Sequence, residues 1–386
     1  MRAVIVHQGQ LTVEDVPDPS PGRGQVLVDV TRCGFCGSDL HARLHSDATA
    51  DGAAEIGYDH LMRSDQHVVM GHEFTGTVAE YGPKTRGKWD IGTPVVSMPI
   101  LDTTDGIHMI GLSTPAPGGY AEQVLVTEAL TFQVPDGVSP DHAATTEPLA
   151  VALHAVRRGD VKAKDTAVVI GCGPIGLAVI AMLKASGVRT VVASDFSAGR
   201  RALAVRCGAD VVVDPGAESP WSTFEDSKYL TTAPALFDLA VGSMKKLRKL
   251  PLVPWHRVME TAQKLGASPR GPVVFECVGM PGIIEQIVTA APLLSRIVVV
   301  GVCMEPDTFR PSMAINKEVE LRFAFGYDPA EFYRSLAMIA AGEVDPTPLI
   351  TGTVGLDGVA SAFEQLADPE QHAKILIDPS STATRA

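Results

Sequence analysis

The chain is poor in aromatic residues, in cysteine and in positive charge, and no long apolar run is unbroken. Aromatic residues are 5% of the 386 positions, and no cluster of rings suited to stacking on a sugar is legible. The substrate therefore cannot be read from the residue types. Lysine and arginine number 32 against 45 acids, for a net charge of -13. That balance disfavours a nucleic-acid or anionic-membrane partner, because holding phosphates takes a basic surface. The longest apolar stretch, Val168 to Leu183, is interrupted by Gly171, Gly173, Pro174 and Gly176, which argues against a membrane span. The first ten residues hold one basic residue and a short apolar run broken by His7, without the apolar core of a secretory signal. The expected location is the cytoplasm. The six cysteines stand at 33, 36, 172, 207, 277 and 303. Disulfides are not expected in a reducing compartment, so each cysteine fills a core or does chemistry.

Hydrophobic residues make up 45% and charged residues 20%, the balance of a soluble globular protein of two or three domains. Up to about residue 150 the chain reads as short strands with Pro and Gly punctuation, as in Gln25–Val30 and Phe74–Tyr81. From Asp165 the rhythm changes. Strands at 166–170, 190–193, 211–213, 273–277 and 297–301 alternate with helices at 175–186, 198–207 and 282–291. Such alternation implies a parallel sheet covered on both faces. Helices near 330–341 and 358–365 and a last strand at 375–378 close the chain. The residues 216–255 fit poorly. There Leu236, Phe237, Ala240, Val241, Met244 and Leu247 fall at helical spacing, which predicts an amphipathic insertion: a solvated excursion, an oligomer contact or a lid.

Gly171-Cys-Gly173-Pro174-Ile175-Gly176 is a GxGxxG sequence between an apolar strand and a helix. Gly171 permits the tight turn, Gly173 lets a pyrophosphate approach the backbone, and Gly176 lets helix and strand meet closely. The helix amino terminus, carrying Pro174 and Ile175, presents free N–H groups to phosphate. Asp195 lies nineteen residues past Gly176, at the end of the next strand, where an acid accepts from a ribose 2′-hydroxyl and repels a 2′-phosphate. NAD is thus expected over NADP, although Arg200 and Arg201 follow and an arginine could receive a phosphate.

Cys33-Gly-Phe-Cys36 has the CxxC form of a redox pair or half a structural zinc site. No second CxxC exists, and Cys33 directly follows a strand, so it reads as buried filler. Cys36, His72 and Glu147 could together make a three-ligand catalytic zinc site with one open position.

At this point the motifs match a family. Cys36-Gly-Ser38-Asp39-Leu-His41, Gly71-His72-Glu73, Gly118-Gly-Tyr-Ala-Glu122, Glu147-Pro-Leu-Ala-Val and the glycine loop occur in the order of the zinc-type medium-chain alcohol dehydrogenases. The chain resembles them along nearly its whole length, and Glu147-Pro148 most resembles the sorbitol, threonine and butanediol branch. The resemblance implies a mainly antiparallel, GroES-like catalytic domain at 1–152 and 327–386. It also implies a Rossmann doubly wound domain at 153–326 carrying the insertion at about 216–255. It places zinc on Cys36 and His72, with Glu147 as third ligand directly or through water and Glu73 beside the metal. It gives Asp39 the ring N–H of His72, and Ser38 and His41 a proton path to solvent. It sets Arg200 near the adenosine ribose, Lys374 at the pyrophosphate, and Val278 and Val302 beside the nicotinamide. Zinc would favour the alkoxide of a secondary alcohol or polyol, and the nicotinamide would take its hydride. A homodimer or homotetramer is implied.

Two departures stand out. The family's four-cysteine structural zinc lobe should fall near 85–115, where this chain has no cysteine. One catalytic zinc and no structural zinc are therefore expected. The segment between His41 and His72 is unusually long and reads as a loop beside the cleft. Two rival readings remain, a zinc-free quinone or enone reductase of the same fold and a non-catalytic NAD-binding regulator.

Overall fold

The computed structural model describes residues 1–224, 228–249, 254–266 and 268–386. The antiparallel part is organised on the strand Gln25–Gly34, whose buried Val26, Val28 and Val30 alternate with less buried neighbours. Three strands pair with it antiparallel: Glu73–Tyr81, Gln123–Thr127 and Lys374–Ile377. The end of the chain thus closes the sheet that its beginning started. This pairing carries Lys374 to the level of Phe35 and Glu73, a placement no local pattern could announce.

The second sheet has six strands, all parallel. Its order is Val211–Val213, Thr190–Ser194, Thr166–Ile170, Val273–Glu276, Arg296–Val299, Glu320–Phe323. That is the 3-2-1-4-5-6 order of a doubly wound dinucleotide fold, with its crevice outside the carboxyl ends of the strands. Strands buried on both faces read as continuous apolar runs, so the four interior strands were legible, and the edge strand Val211–Val213 was marked by its three valines. The sixth, Glu-Leu-Arg-Phe, is an edge strand of mixed polarity and carried no such signal. The helix Thr146–Arg158 buries Leu149, Ala152 and Leu153 in the cluster that holds Leu177 and Ile180 of helix Pro174–Ala185. It joins the two parts of the molecule.

One local expectation changes, and two others gain detail. The long segment after His41 is not all loop, since residues Ser46–Glu55 form a helix rich in alanine, a strong helix former. The 85–115 region folds partly as the hairpin Ile100–Thr103/Gly106–Met109, built without cysteine. The insertion holds the expected helix, Ala233–Leu247, a further helix, Trp255–Lys264, follows it, and neither contains a fully buried residue. Lys228 donates to Thr166 Oγ1 at 2.7 Å, and Leu293 N donates to Leu230 O at 2.8 Å. Val213 is the last residue of one parallel strand and Val273 the first of the next, so the insertion leaves at a carboxyl end and rejoins at an amino end, touching the amino end of strand Thr166–Ile170 on the way.

Candidate active site

Cys36 caps the amino end of helix Gly37–Leu44, just after the central strand turns away from the sheet. His72 and Glu73 stand at the start of the paired strand Glu73–Tyr81. The pairing of Gly34 with Glu73 brings these two chain segments together. One ligand atom each from Cys36, His72 and Glu73 lies within 4.8 Å of the others. His72 and Glu73 are buried and Cys36 is half-buried. Gly34 permits the approach, because a Cβ there would overlap Glu73 Oε2.

Each ligand is held from behind. Asp39 Oδ2 accepts from Cys36 N at 3.0 Å and from the Tyr120 hydroxyl at 2.7 Å. Asp39 Oδ1 lies 3.2 Å from His72 Nδ1, an ion-pair distance with poor alignment for a linear hydrogen bond. Nε2 of His72 lies 3.3 Å from Ser38 Oγ. Burial works to lower the His72 pKa. The Asp39 carboxylate and a hydrogen bond with Cys36 outweigh it and push the imidazole well above its ordinary value. Burial, and then His45, lower that of His41.

Glu73 is paired on one side only. Its Oε2 accepts from Lys374 Nζ, which also donates to Phe35 O at 2.9 Å. Its Oε1 is buried with no hydrogen-bond partner. A thiol, an imidazole and an unpartnered carboxylate oxygen converging on one point suit zinc. Glu147, in the first turn of helix Thr146–Arg158, feels the charges of His72, Glu73 and Lys374 and the hydroxyl of Tyr327. Desolvation, aided by Glu73, pushes its carboxyl up to about 7. It stands outside the tight three-residue set.

The glycine loop has the geometry its sequence implies. Gly171 sits at φ +90, a Cβ on Gly173 would meet open space, and one on Gly176 would overlap Gly171 O. Asp195 Oδ2 accepts from Cys172 N at 2.7 Å, and Oδ1 accepts from Ser197 N at 2.8 Å. The acid therefore lies against the loop. Arg201 is committed to Asp195 O, Phe196 O and Asp214, whereas Arg200 Nε is buried without a partner. Val278 and Val302 lie past the ends of the fourth and fifth strands, 38% and 53% exposed.

The zinc-binding dehydrogenase family model matches residues 174–341, and the alcohol dehydrogenase GroES-like domain model matches residues 22–136. The (R,R)-butanediol dehydrogenase of Bacillus subtilis is 30% identical over 98% of this chain and 100% of its own length. The chain belongs to the zinc-binding alcohol dehydrogenase family. The sorbitol dehydrogenase of Bos taurus is 28% identical, over 94% of this chain and 92% of its own. The 2R,3R-butanediol dehydrogenase structure from Bacillus subtilis superposes with a TM-score of 0.74 at 29% identity, covering 98% of this chain and 99% of that one. A zinc-binding dehydrogenase from Sinorhizobium meliloti bound to NADP has a TM-score of 0.75 at 26% identity, over 98% of this chain and 99% of that one.

This alcohol dehydrogenase is an oxidoreductase whose cofactors are zinc and a nicotinamide dinucleotide. The structure brings Cys36, His72, Glu73, Asp39 and Ser38 together, with His41 one helical turn beyond Ser38. One expectation is corrected. Lys374 does not point to the pyrophosphate. Its ammonium is buried, and Glu73 and Phe35 O take two of its three N–H donors. Two site residues escaped sequence reasoning. Tyr120 lies inside a quoted motif, and its spacing to Asp39 means nothing before folding. Tyr327 is a lone tyrosine after the sixth strand, with no local signal at all. Among the described residues, no helix is long and apolar enough to cross a membrane.

Proposed function

We propose that the enzyme oxidises a secondary alcohol or a polyol, and reduces the matching ketone, with NAD at one catalytic zinc per chain and no structural zinc. The observation that carries this is the compact Cys36–His72–Glu73 set, with helix Thr146–Arg158 linking it to the glycine loop. Zinc, when bound, supplies Lewis acidity that lowers the pKa of an alcohol hydroxyl, and the nicotinamide supplies the hydride acceptor. Asp39 fixes the ring and tautomer of His72. Ser38 and the half-buried His41 offer the released proton a way out. Lys374 pairs with Glu73 in a buried site. Glu147 serves the metal through water.

Asp195 supports NAD, because its carboxylate holds the loop at the point where a 2′-phosphate would meet it. The names of the relatives favour a diol or a polyol. A zinc-free reductase would have no use for the Cys36–His72–Glu73 set. A non-catalytic regulator would have no use for Ser38 and His41. A dimer or tetramer is favoured by the open edge strand Glu320–Phe323, where Phe323 is 62% exposed and nearby Phe325 87%. The test is metal analysis joined to an NAD-reduction screen over diols, polyols and simple secondary alcohols. One zinc per chain with turnover on one of these classes is expected. Two tightly held zincs, or reduction of NADP alone, would overturn the reading.

A further inference from the structure

Among the described residues, the buried carboxylates Glu276 and Glu331 have no part in the mechanism, and Glu331 is paired with His154 and Arg157. Glu276 ends the fourth parallel strand and is 2% exposed. No cation pairs with it among the described residues, and its partners are all N–H groups. Its Oε1 accepts from Val278 N at 2.7 Å and Gly279 N at 2.8 Å. Its carbonyl accepts from Val300 N and Gly301 N, both at 2.9 Å. Four N–H groups from two neighbouring loops, 277–279 and 300–302, therefore converge on one residue. Both loops lie past the carboxyl ends of their strands, where a doubly wound fold binds its dinucleotide.

The contacts around it are close. A Cβ on Gly301 would overlap Gly279 N and lie 2.9 Å from Glu276 Oε2. A Cβ on Gly279 would lie 2.6 Å from Val302 O. A Cβ on Gly171 would lie 2.7 Å from Val278 Cγ2, so the first loop presses on the glycine turn itself. The side chains of Val278 and Val302 are nonetheless left partly in solvent. Two apolar side chains on a braced backbone beside a dinucleotide loop form a surface prepared for a flat ring.

We propose that Glu276 is a positioning residue for the nicotinamide end of the cofactor: its carboxylate orders loop 277–279, which its backbone carbonyl holds against loop 300–302. This rests on the nicotinamide-cofactor reading above. A buried carboxylate suits the task because hydrogen bonds to a charged acceptor are short and strong.

The experiment compares Glu276→Ala and Glu276→Gln in the full, zinc-loaded enzyme. NADH and ADP-ribose, which lacks the nicotinamide, are each titrated by fluorescence or calorimetry, and zinc content is measured in parallel. Glu276→Ala should weaken NADH about tenfold or more, the scale of losing two hydrogen bonds to a charged acceptor, and leave ADP-ribose near the wild-type value. Zinc content should not change. Glu276→Gln should stay within about threefold for NADH, because its amide oxygen can accept from the same two N–H groups. Equal losses for both ligands, or equal losses in both variants, would overturn the proposal. So would wild-type NADH affinity in a folded Glu276→Ala. If Glu276→Ala does not fold, Gly301→Ala disturbs the same contact and should show the same selective loss. A wild-type enzyme that binds neither ligand would instead refute the cofactor reading.

Discussion

Replacing Lys374 with Met keeps most of the apolar stem of the side chain and removes its charge and its N–H donors. In the folded protein both partners of the Lys374–Glu73 pair are sealed, with side chains 2% and 1% exposed. Removing one partner of such a pair leaves an uncompensated buried charge and costs about 3–5 kcal/mol. Phe35 O loses its donor as well, at about 1–3 kcal/mol if water cannot replace it. The two costs overlap, because the same relaxation eases both, so a total of about 3–5 kcal/mol is the reasonable expectation. The penalty should fall on the zinc-free protein, since zinc on Glu73 would supply the missing positive charge. The assay is urea unfolding followed by tryptophan fluorescence, with and without zinc, for wild type, Lys374→Met, Glu73→Gln and the double variant. Lys374→Met should lose most without zinc and recover part of the loss with it. The double variant should be more stable than Lys374→Met alone, because the stranded charge is gone. Unchanged zinc-free stability together with collapsed NADH binding would refute this reasoning and return Lys374 to the pyrophosphate.

Three further outcomes are expected. Cys36→Ala should lose both zinc and turnover, whereas Glu147→Ala should keep zinc and lose turnover, because Glu73 completes the tight set without it; equal zinc loss in both would put Glu147 on the metal. Asp39→Ala should lower zinc affinity about 10–100-fold, measured by chelator competition, since it holds both Cys36 N and the His72 ring; an unchanged affinity would mean Tyr120 and the helix suffice. Asp195→Ala should narrow the preference for NAD over NADP, measured as the ratio of kcat/KM values, with Arg200 free to receive a phosphate; a wild type that already prefers NADP contradicts this reading.

The sequence by itself determined the elements whose signal is local. Val and Ile runs marked the interior parallel strands, because a strand buried on both faces has no polar side to show. The glycine loop was legible because Gly171 and Gly176 answer steric demands inside eleven residues of chain, from Thr166 to Gly176. The ligand types Cys36, His72, Glu73 and Glu147 were legible as chemistry, and their order along the chain was enough to suggest the family. Which of them gather was not. That Glu73 rather than Glu147 joins the tight set follows from the antiparallel register of Gly34 with Glu73. That Lys374 faces Glu73 follows from a strand near the chain's end pairing with one near its beginning. Tyr120 reaches Asp39, and Tyr327 reaches Glu147, only across such long-range pairings. Side-chain chemistry and short-range sterics are written residue by residue. The distances between charges are decided by sheet register, and register is settled only when the whole core closes.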